Sequence, residues 1–264
     1  MVWATDQSWV LIDTTVRVLT QSAEVGSKLD HLLESFQQTT GFADESRTFR
    51  IAAEPDATAV YQNDDRLASY QSEDGALKYL MVEVNRAAIR QSPWFAVHAG
   101  VVQHGESIIA FPAVSDGGKT TLTSACLLRG FEYLTDEALV IDDSGSVVPY
   151  PRPLALSPWS CEKLGLEPGQ GERLYTPRDL DADIGTGGPP TDVVLPTYGT
   201  GDMVLEKLAR SAAVEALLTR SFNHYKNAER AFRLSTELAR RVNVWHLVLG
   251  DPLETASLLY DRLG

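Results

Sequence analysis

The sequence predicts an α/β protein in two parts. A smaller N-terminal α+β module covers residues 1–91, and a larger α/β domain built round a phosphate-binding loop covers 92–264. Three observations lead there. The apolar run Ser107-Ile108-Ile109-Ala110-Phe111 suits a buried strand and runs into a glycine-rich stretch ending Gly117-Gly118-Lys119-Thr120-Thr121. After it, Leu122, Ala125, Cys126 and Leu128 recur at helical spacing up to Gly130, a C-cap residue. Finally, Tyr133 to Ile141 reads as strand, acidic pair Asp136-Glu137, strand, which completes a βαβ-type unit.

Along the chain, residues 9–20 are rich in Val, Leu, Ile and Thr and predict one or two strands. Residues 27–36 carry Leu29, Leu32, Leu33 and Phe36 at helical spacing, with Ser27 as the expected N-cap. Residues 47–53 and 58–62 predict short strands, and Asp64-Asp65 a turn. Residues 74–90 predict a long amphipathic helix with Leu77, Leu80, Met81, Val84 and Ala88 inward, ended by Ser92-Pro93. This first part shows no catalytic constellation and reads as a packing or substrate-presenting module.

In the second part, Asp142-Asp143-Ser144-Gly145 predicts a hairpin turn, its acids serving the turn rather than a metal. Residues 149–158 are extended and punctuated by prolines. With six glycines and four prolines, residues 165–190 read as a mobile surface loop at the mouth of the site. A strand is expected at 192–198, helices at 205–208, 212–219 and 228–241, a strand at 244–249 and a closing helix at 252–263. His224, Arg220 and Lys226 read as surface residues, and Arg152 as a solvated charge rather than a phosphate clamp.

The loop carries the chemistry. A phosphate-binding loop is Gly, four residues, Gly-Lys-Ser/Thr. Here Ala113 stands at the first glycine, so the strict pattern fails at one position. Backbone N–H groups over Ser115, Asp116, Gly117, Gly118 and Lys119 can still wrap a phosphate, because Gly117 and Gly118 permit positive φ and close approach. The Lys119 ammonium would bridge the β- and γ-phosphates of ATP, the Thr120 hydroxyl would ligate Mg²⁺, and Thr121 follows in the first helical turn. The helix directs its positive end at the same anion. Taken alone, Asp116-Gly117-Gly118 is also a common strand-to-helix turn; the flanking strands and acids favour the binding site.

From His98 to Ile141 the chain resembles HPr kinase/phosphorylase and its relatives. The elements that carry the resemblance are His98-Ala99-Gly100, Ser115 to Thr121, Arg129-Gly130 and Asp136-Glu137. It is looser from Tyr150 to Leu263 and weak before Ser92. It implies an α/β fold whose C-terminal part is a P-loop kinase core of the HPr kinase/phosphoenolpyruvate carboxykinase type. The phrases Gly130 to Glu137 and Pro149 to Leu154 look like the branch found in bacterial peptide-modification clusters, which includes kinases of lasso-peptide precursors. Two departures matter: Ala113, and Glu137 in place of the second aspartate of the HPr kinase pair. Nothing resembles the segment that docks HPr, so HPr is not the expected target.

The resemblance implies an ATP- and Mg²⁺-dependent kinase acting on a Ser/Thr hydroxyl of a peptide or protein, such as a biosynthetic precursor. Asp136 is then the candidate base and Glu137, with Thr120, the candidate metal ligand, though the two acids could exchange roles. His98 would hold the acids or touch the transferred phosphate, or else be structural. A small-molecule kinase of the free-serine type, and a nucleotide-binding module without transfer, stay open. HPr kinases form hexamers, so a homo-oligomer is among the expectations.

Global numbers set limits. Hydrophobic content of 44% and charged content of 22% are ordinary for a packed chain. A net charge of −13 opposes binding to nucleic acid or anionic membranes. Cys126 and Cys161 make neither a disulfide framework nor a zinc set. No apolar run approaches the roughly 20 residues that cross a bilayer, and no secretion signal opens the sequence, so the cytoplasm is the expected compartment.

Overall fold

The computed structural model describes residues 2–40, 47–113, 117–199 and 202–264, which are of mixed α/β type and fall into two units, Met1–Ser92 and Pro93–Gly264.

The first unit is a six-stranded sheet with two helices. Strands β1 (Thr5–Leu11) and β2 (Thr14–Thr20) form a hairpin whose turn holds Ile12 at φ +61°. Helix α1 (Ala23–Leu32) follows, and the two-residue β3 (Gln37–Gln38) pairs with β1. Strands β4 (Thr48–Glu54), β5 (Ala57–Gln62) and β6 (Asp65–Tyr70) complete the order β3-β1-β2-β4-β5-β6. Because β2 and β4 are parallel, the chain must cross over between them, and α1 lies in that crossover. Helix α2 (Glu73–Gln91) is capped by Ser72, whose side chain accepts from the Gly75 N–H, and it buries Leu77, Leu80, Met81, Val84 and Ala88.

Two expectations for this unit are corrected. Helix α1 is capped by Ser22, which accepts from the Val25 N–H, so Ser27 lies inside the helix. Leu33 and Phe36 are buried beyond the helix end; their burial prolongs the apolar spacing without prolonging the helix. Strand β6 was not expected, because an edge strand with no buried residue carries no apolar alternation.

The second unit is built on an eight-stranded sheet. Strands β7 (Phe95–His104) and β8 (Ser107–Pro112) form a hairpin through Gly105 at φ +57°. Helix α3 (Lys119–Leu128) leads to β9 (Glu132–Thr135), β10 (Ala138–Ile141) and β11 (Val147–Val148). Then β12 (Leu154–Leu156), α4 (Pro158–Lys163) and β13 (Arg173–Tyr175) make a small two-stranded annexe. Strands β14 (Asp192–Tyr198) and β15 (Val204–Lys207), helices α5 (Ser211–Thr219) and α6 (Ala228–Arg241), strand β16 (Asn243–Leu249) and helix α7 (Pro252–Leu263) close the chain.

The main sheet runs β11-β10-β7-β8-β14-β16-β15, with β9 also paired to β7. Its centre, β8-β14-β16, is parallel; β8 and the first half of β14 are buried, and β8 is accordingly an apolar run. Ile108 and Ala110 face the cluster that includes Ala213 and Leu217 of α5 and Leu234 and Leu238 of α6. Ile109 and Phe111 face the cluster that includes Leu122 and Cys126 of α3 and Leu259 of α7. Helices therefore cover both faces.

Residues 205–208, expected as a helix, are mostly strand β15, a four-residue edge held by the pairing of Leu205 with Leu247. Residues 165–190 are tied in rather than a loose loop. Tyr175 and Leu180 are buried, the Tyr133 N–H donates to the Asp183 carbonyl at 2.8 Å, and Val147 pairs with Gly188. Gly187 there serves close approach: a Cβ on it would lie 2.2 Å from the Val147 carbonyl oxygen. Leu128 is exposed, and Leu127 takes its expected place in the core.

Candidate active site

Strand β7 gathers the site, because both of its edges are paired. On one edge Ala99 faces Pro112 and Gly100 faces Phe111 of β8. On the other edge His98 faces Ala138 of β10, and Val101 faces Thr135 of β9, with a register shift between Val101 and Val102. The acidic turn spans the gap between β9 and β10, and the Ala99 N–H donates to the Glu137 carbonyl at 3.2 Å. The Thr135 hydroxyl accepts from the N–H groups of Glu137 and Ala138, both at 3.3 Å, which fixes the turn locally. The end of β8, the middle of β7 and Asp136-Glu137 thus lie abreast.

Helix α3 is seated close behind. A Cβ on Gly100 would stand 2.3 Å from the Thr123 hydroxyl, so only glycine lets β7 and α3 approach as they do. Gly118 precedes the helix at φ +78°, a conformation that favours glycine, and gives no side-chain cap. The helix thus begins without a capping side chain at Gly118, with its positive end directed at the preceding loop position.

Of the residues singled out from the sequence, Ser115 and Asp116 lie outside the described residues, while Gly117 and Gly118 lead into α3. Lys119 is 6% exposed. Thr121 does not face the acids; its hydroxyl shares a 2.8 Å hydrogen bond with Ser160 of α4. Asp136 is 4% exposed and its Oδ1 has no hydrogen-bond partner. Burial pushes its carboxyl up to about 6, against the pull of Arg152, Lys119 and a hydrogen bond from Thr120. Glu137 is more open and accepts from Arg152 Nη1 at 2.7 Å. Burial pushes His98 below the usual imidazole range, and Lys119, Arg152 and Arg220 add to this against Glu137. Its ring lies 5.4 Å from that of Phe222, and its backbone N–H donates to the Arg220 carbonyl at 2.8 Å.

Two basic residues are corrected here. Arg152 is not a solvated charge: its side chain is 14% exposed, it pairs with Glu137, and its carbonyl accepts from the Tyr133 hydroxyl at 2.9 Å. Arg220 is half-buried, with an Nε that has no partner, rather than a free surface residue. The signal for Arg152 was its setting, since Pro151 and Pro153 fix the backbone on either side and Tyr150 before it is buried. Nothing in the spacing of Arg220 marks it.

Among the described residues no three His, Cys, Asp or Glu side chains gather as a metal-ligand set. The Thr120 hydroxyl and a neighbouring carboxylate nonetheless fit a hard cation that keeps water and phosphate oxygens as its other ligands. Arg152 holds Glu137 through Oε2, while Asp136 Oδ1 has no hydrogen-bond partner. Chemically, the arrangement offers a carboxylate raised to about 6, a buried ammonium, and a helix N-terminus opened by a glycine. No protein-family model matches the chain, and no curated protein is found similar to it.

Proposed function

We propose that this chain is an ATP-dependent phosphotransferase with a P-loop kinase core of the HPr kinase/phosphoenolpyruvate carboxykinase type. It transfers the γ-phosphate to a Ser/Thr hydroxyl of a peptide or protein, such as a biosynthetic precursor. One observation carries the reading: the buried carboxyl of Asp136, unpartnered at Oδ1 and raised towards neutrality, beside Lys119 at the start of a helix opened by Gly118. A structural aspartate in such a place would be fully hydrogen-bonded. A general base works best when its proton affinity lies near the working pH.

In this reading Lys119 and the first N–H groups of α3 hold the phosphates. Asp136 Oδ1 takes the hydroxyl proton as the substrate oxygen bonds to the γ-phosphorus, and the β–γ bridging oxygen leaves with ADP. Arg152 holds Glu137 in place beside it, and the neutral His98 adds no further positive charge to the group of cations. Mg²⁺, held by Thr120 and one of the two carboxylates, would neutralise phosphate charge. Phosphoryl transfer asks mainly for positioning and charge neutralisation, which these groups supply.

The test is calorimetric titration of Mg²⁺-ATP into the wild type, Lys119→Ala and Asp136→Asn, with ADP release measured against candidate acceptors. Saturable binding lost in Lys119→Ala and kept in Asp136→Asn, with turnover lost in both, is expected. Absence of wild-type binding, with and without acceptor, overturns the reading. The small-molecule alternative would show as turnover on free serine but not on peptides; binding without ADP release on any acceptor would mark a module without transfer.

A further inference from the structure

The parallel strands β8, β14 and β16 all end on the side where the loop before α3 begins. In open α/β sheets the crevice beyond the carboxyl ends of the strands is where ligands lie. There, a shallow cleft, open to solvent, lies beside Gly118. Its walls include Tyr198 from the end of β14, Leu249 from the end of β16, Pro252 at the start of α7, Leu122 of α3 and Trp159 of α4.

Two of these walls are aromatic rings left in solvent: Trp159 is 52% and Tyr198 65% exposed. Neither is needed to fill a core. Trp159 stands in the first turn of α4, next to Ser160 and Cys161, which are buried. Tyr198 reaches Gly118, its hydroxyl 2.7 Å from where a Cβ there would be. An exposed aromatic pair flanking a cleft at an anion-binding helix terminus suits a flat, apolar-faced ligand attached to phosphates.

We propose that this cleft takes the nucleobase of the nucleoside triphosphate, held by stacking on Trp159 and Tyr198 against the aliphatic floor of Leu249 and Pro252. The inference rests on the phosphate-loop reading above and adds the part of the ligand which that loop does not touch. Among the described residues lining the cleft, none carries a charge or a side-chain amide, and the Thr121 hydroxyl is committed to Ser160. The base is therefore gripped by its faces rather than read at its edges. Stacking of this kind tolerates any base, since every base has a π-face.

The experiment compares Mg²⁺-ATP, Mg²⁺-GTP and Mg²⁺-tripolyphosphate binding by calorimetry to the wild type, Trp159→Ala, Trp159→Phe, Tyr198→Ala and Lys119→Ala. Tripolyphosphate has the phosphates without the base. Trp159→Ala and Tyr198→Ala should each weaken ATP roughly five- to hundred-fold, as loss of a stacking ring does, and leave tripolyphosphate unchanged. Trp159→Phe should keep most of the affinity, and ATP and GTP should differ by less than about ten-fold. Equal effects of the alanine variants on ATP and tripolyphosphate, or no effect on either, would overturn the inference while leaving the phosphate loop standing. Discrimination between ATP and GTP of about a hundred-fold would overturn the stacking assignment. Failure of tripolyphosphate to bind, or indifference to Lys119→Ala, would instead bring down the phosphate-loop reading and this inference with it.

Discussion

Replacing Asp136 by Asn should make the ligand-free protein more stable, in a way that depends on pH. The carboxyl is pushed up to about 6 from the 3.8 of an unperturbed aspartate. The folded chain therefore binds that proton more tightly than the unfolded chain does. With a folded value above the unfolded one, stability is greatest below about pH 4, falls as pH rises from about 4 to 6, and stays reduced above that. At about 1.4 kcal/mol per tenfold difference in proton affinity, the ionised carboxylate costs about 3 kcal/mol at pH 8. Asn keeps the shape and removes the charge, so it should recover most of this. For units of 150–250 residues, each kcal/mol moves the midpoint by about 2–4 °C, so a rise of roughly 6–12 °C is expected. Thermal unfolding of both proteins from pH 4 to pH 8 measures it, and the two curves should converge at the acid end. An Asn variant that is no more stable at pH 8, or whose gain does not change with pH, would refute the idea of a carboxylate held against its own solvation. Asp136 would then be a satisfied structural anion. A gain in stability joined to loss of transfer is the pattern expected where a strained group serves catalysis.

The other predictions are more local. Arg152→Ala should cost about 3 kcal/mol, as breaking a largely buried ion pair does, read as a fall in the unfolding midpoint. It should also raise the Asp136 carboxyl further, because Arg152 now pulls it down, moving the acid limb of any pH–rate profile to higher pH. Gly100→Ala should destabilise by about 1–3 kcal/mol through overpacking against the Thr123 hydroxyl. Thr123→Ala should restore much of that, since it removes both the clash and a buried hydroxyl that has no partner. Lys119→Ala should abolish Mg²⁺-ATP binding in calorimetry while leaving far-ultraviolet circular dichroism unchanged.

Much of the second unit was legible because its signals are strong and local. The apolar run into Gly118-Lys119-Thr120, the helical spacing after it, and the pair Asp136-Glu137 between two apolar strands all sit within about one βαβ unit. Helices α2, α6 and α7 announced themselves by long periodic faces. What stayed hidden depends on distant partners. Strand β15 is four residues long, and only β16 makes it a strand. Arg152 becomes a buried ion-pair partner only because the 149–153 segment returns alongside β9, with Tyr150 donating to Leu134. The glycines of 165–190 signalled looseness in sequence, but in the fold Gly187 and Gly185 mark places of close approach, to the Val147 carbonyl and to the Gln103 side chain. Trp159 and Tyr198 drew no notice because a single exposed aromatic has no period, and their meeting across one cleft is a property of the folded chain.

The shared edge of β7 constrains how the chain can vary in length. Between Thr135, paired to Val101, and Ala138, paired to His98, only Asp136 and Glu137 intervene. One residue more or fewer would slide β10 by a step along β7, and a one-residue slip turns every side chain of a strand to the opposite face. Leu139 and Ile141 would exchange places with Ala138 and Val140, on a strand buried from end to end. The span carrying the two carboxylates is thus a ruler as well as a turn: substitutions there change chemistry, whereas insertions and deletions would unmake the sheet.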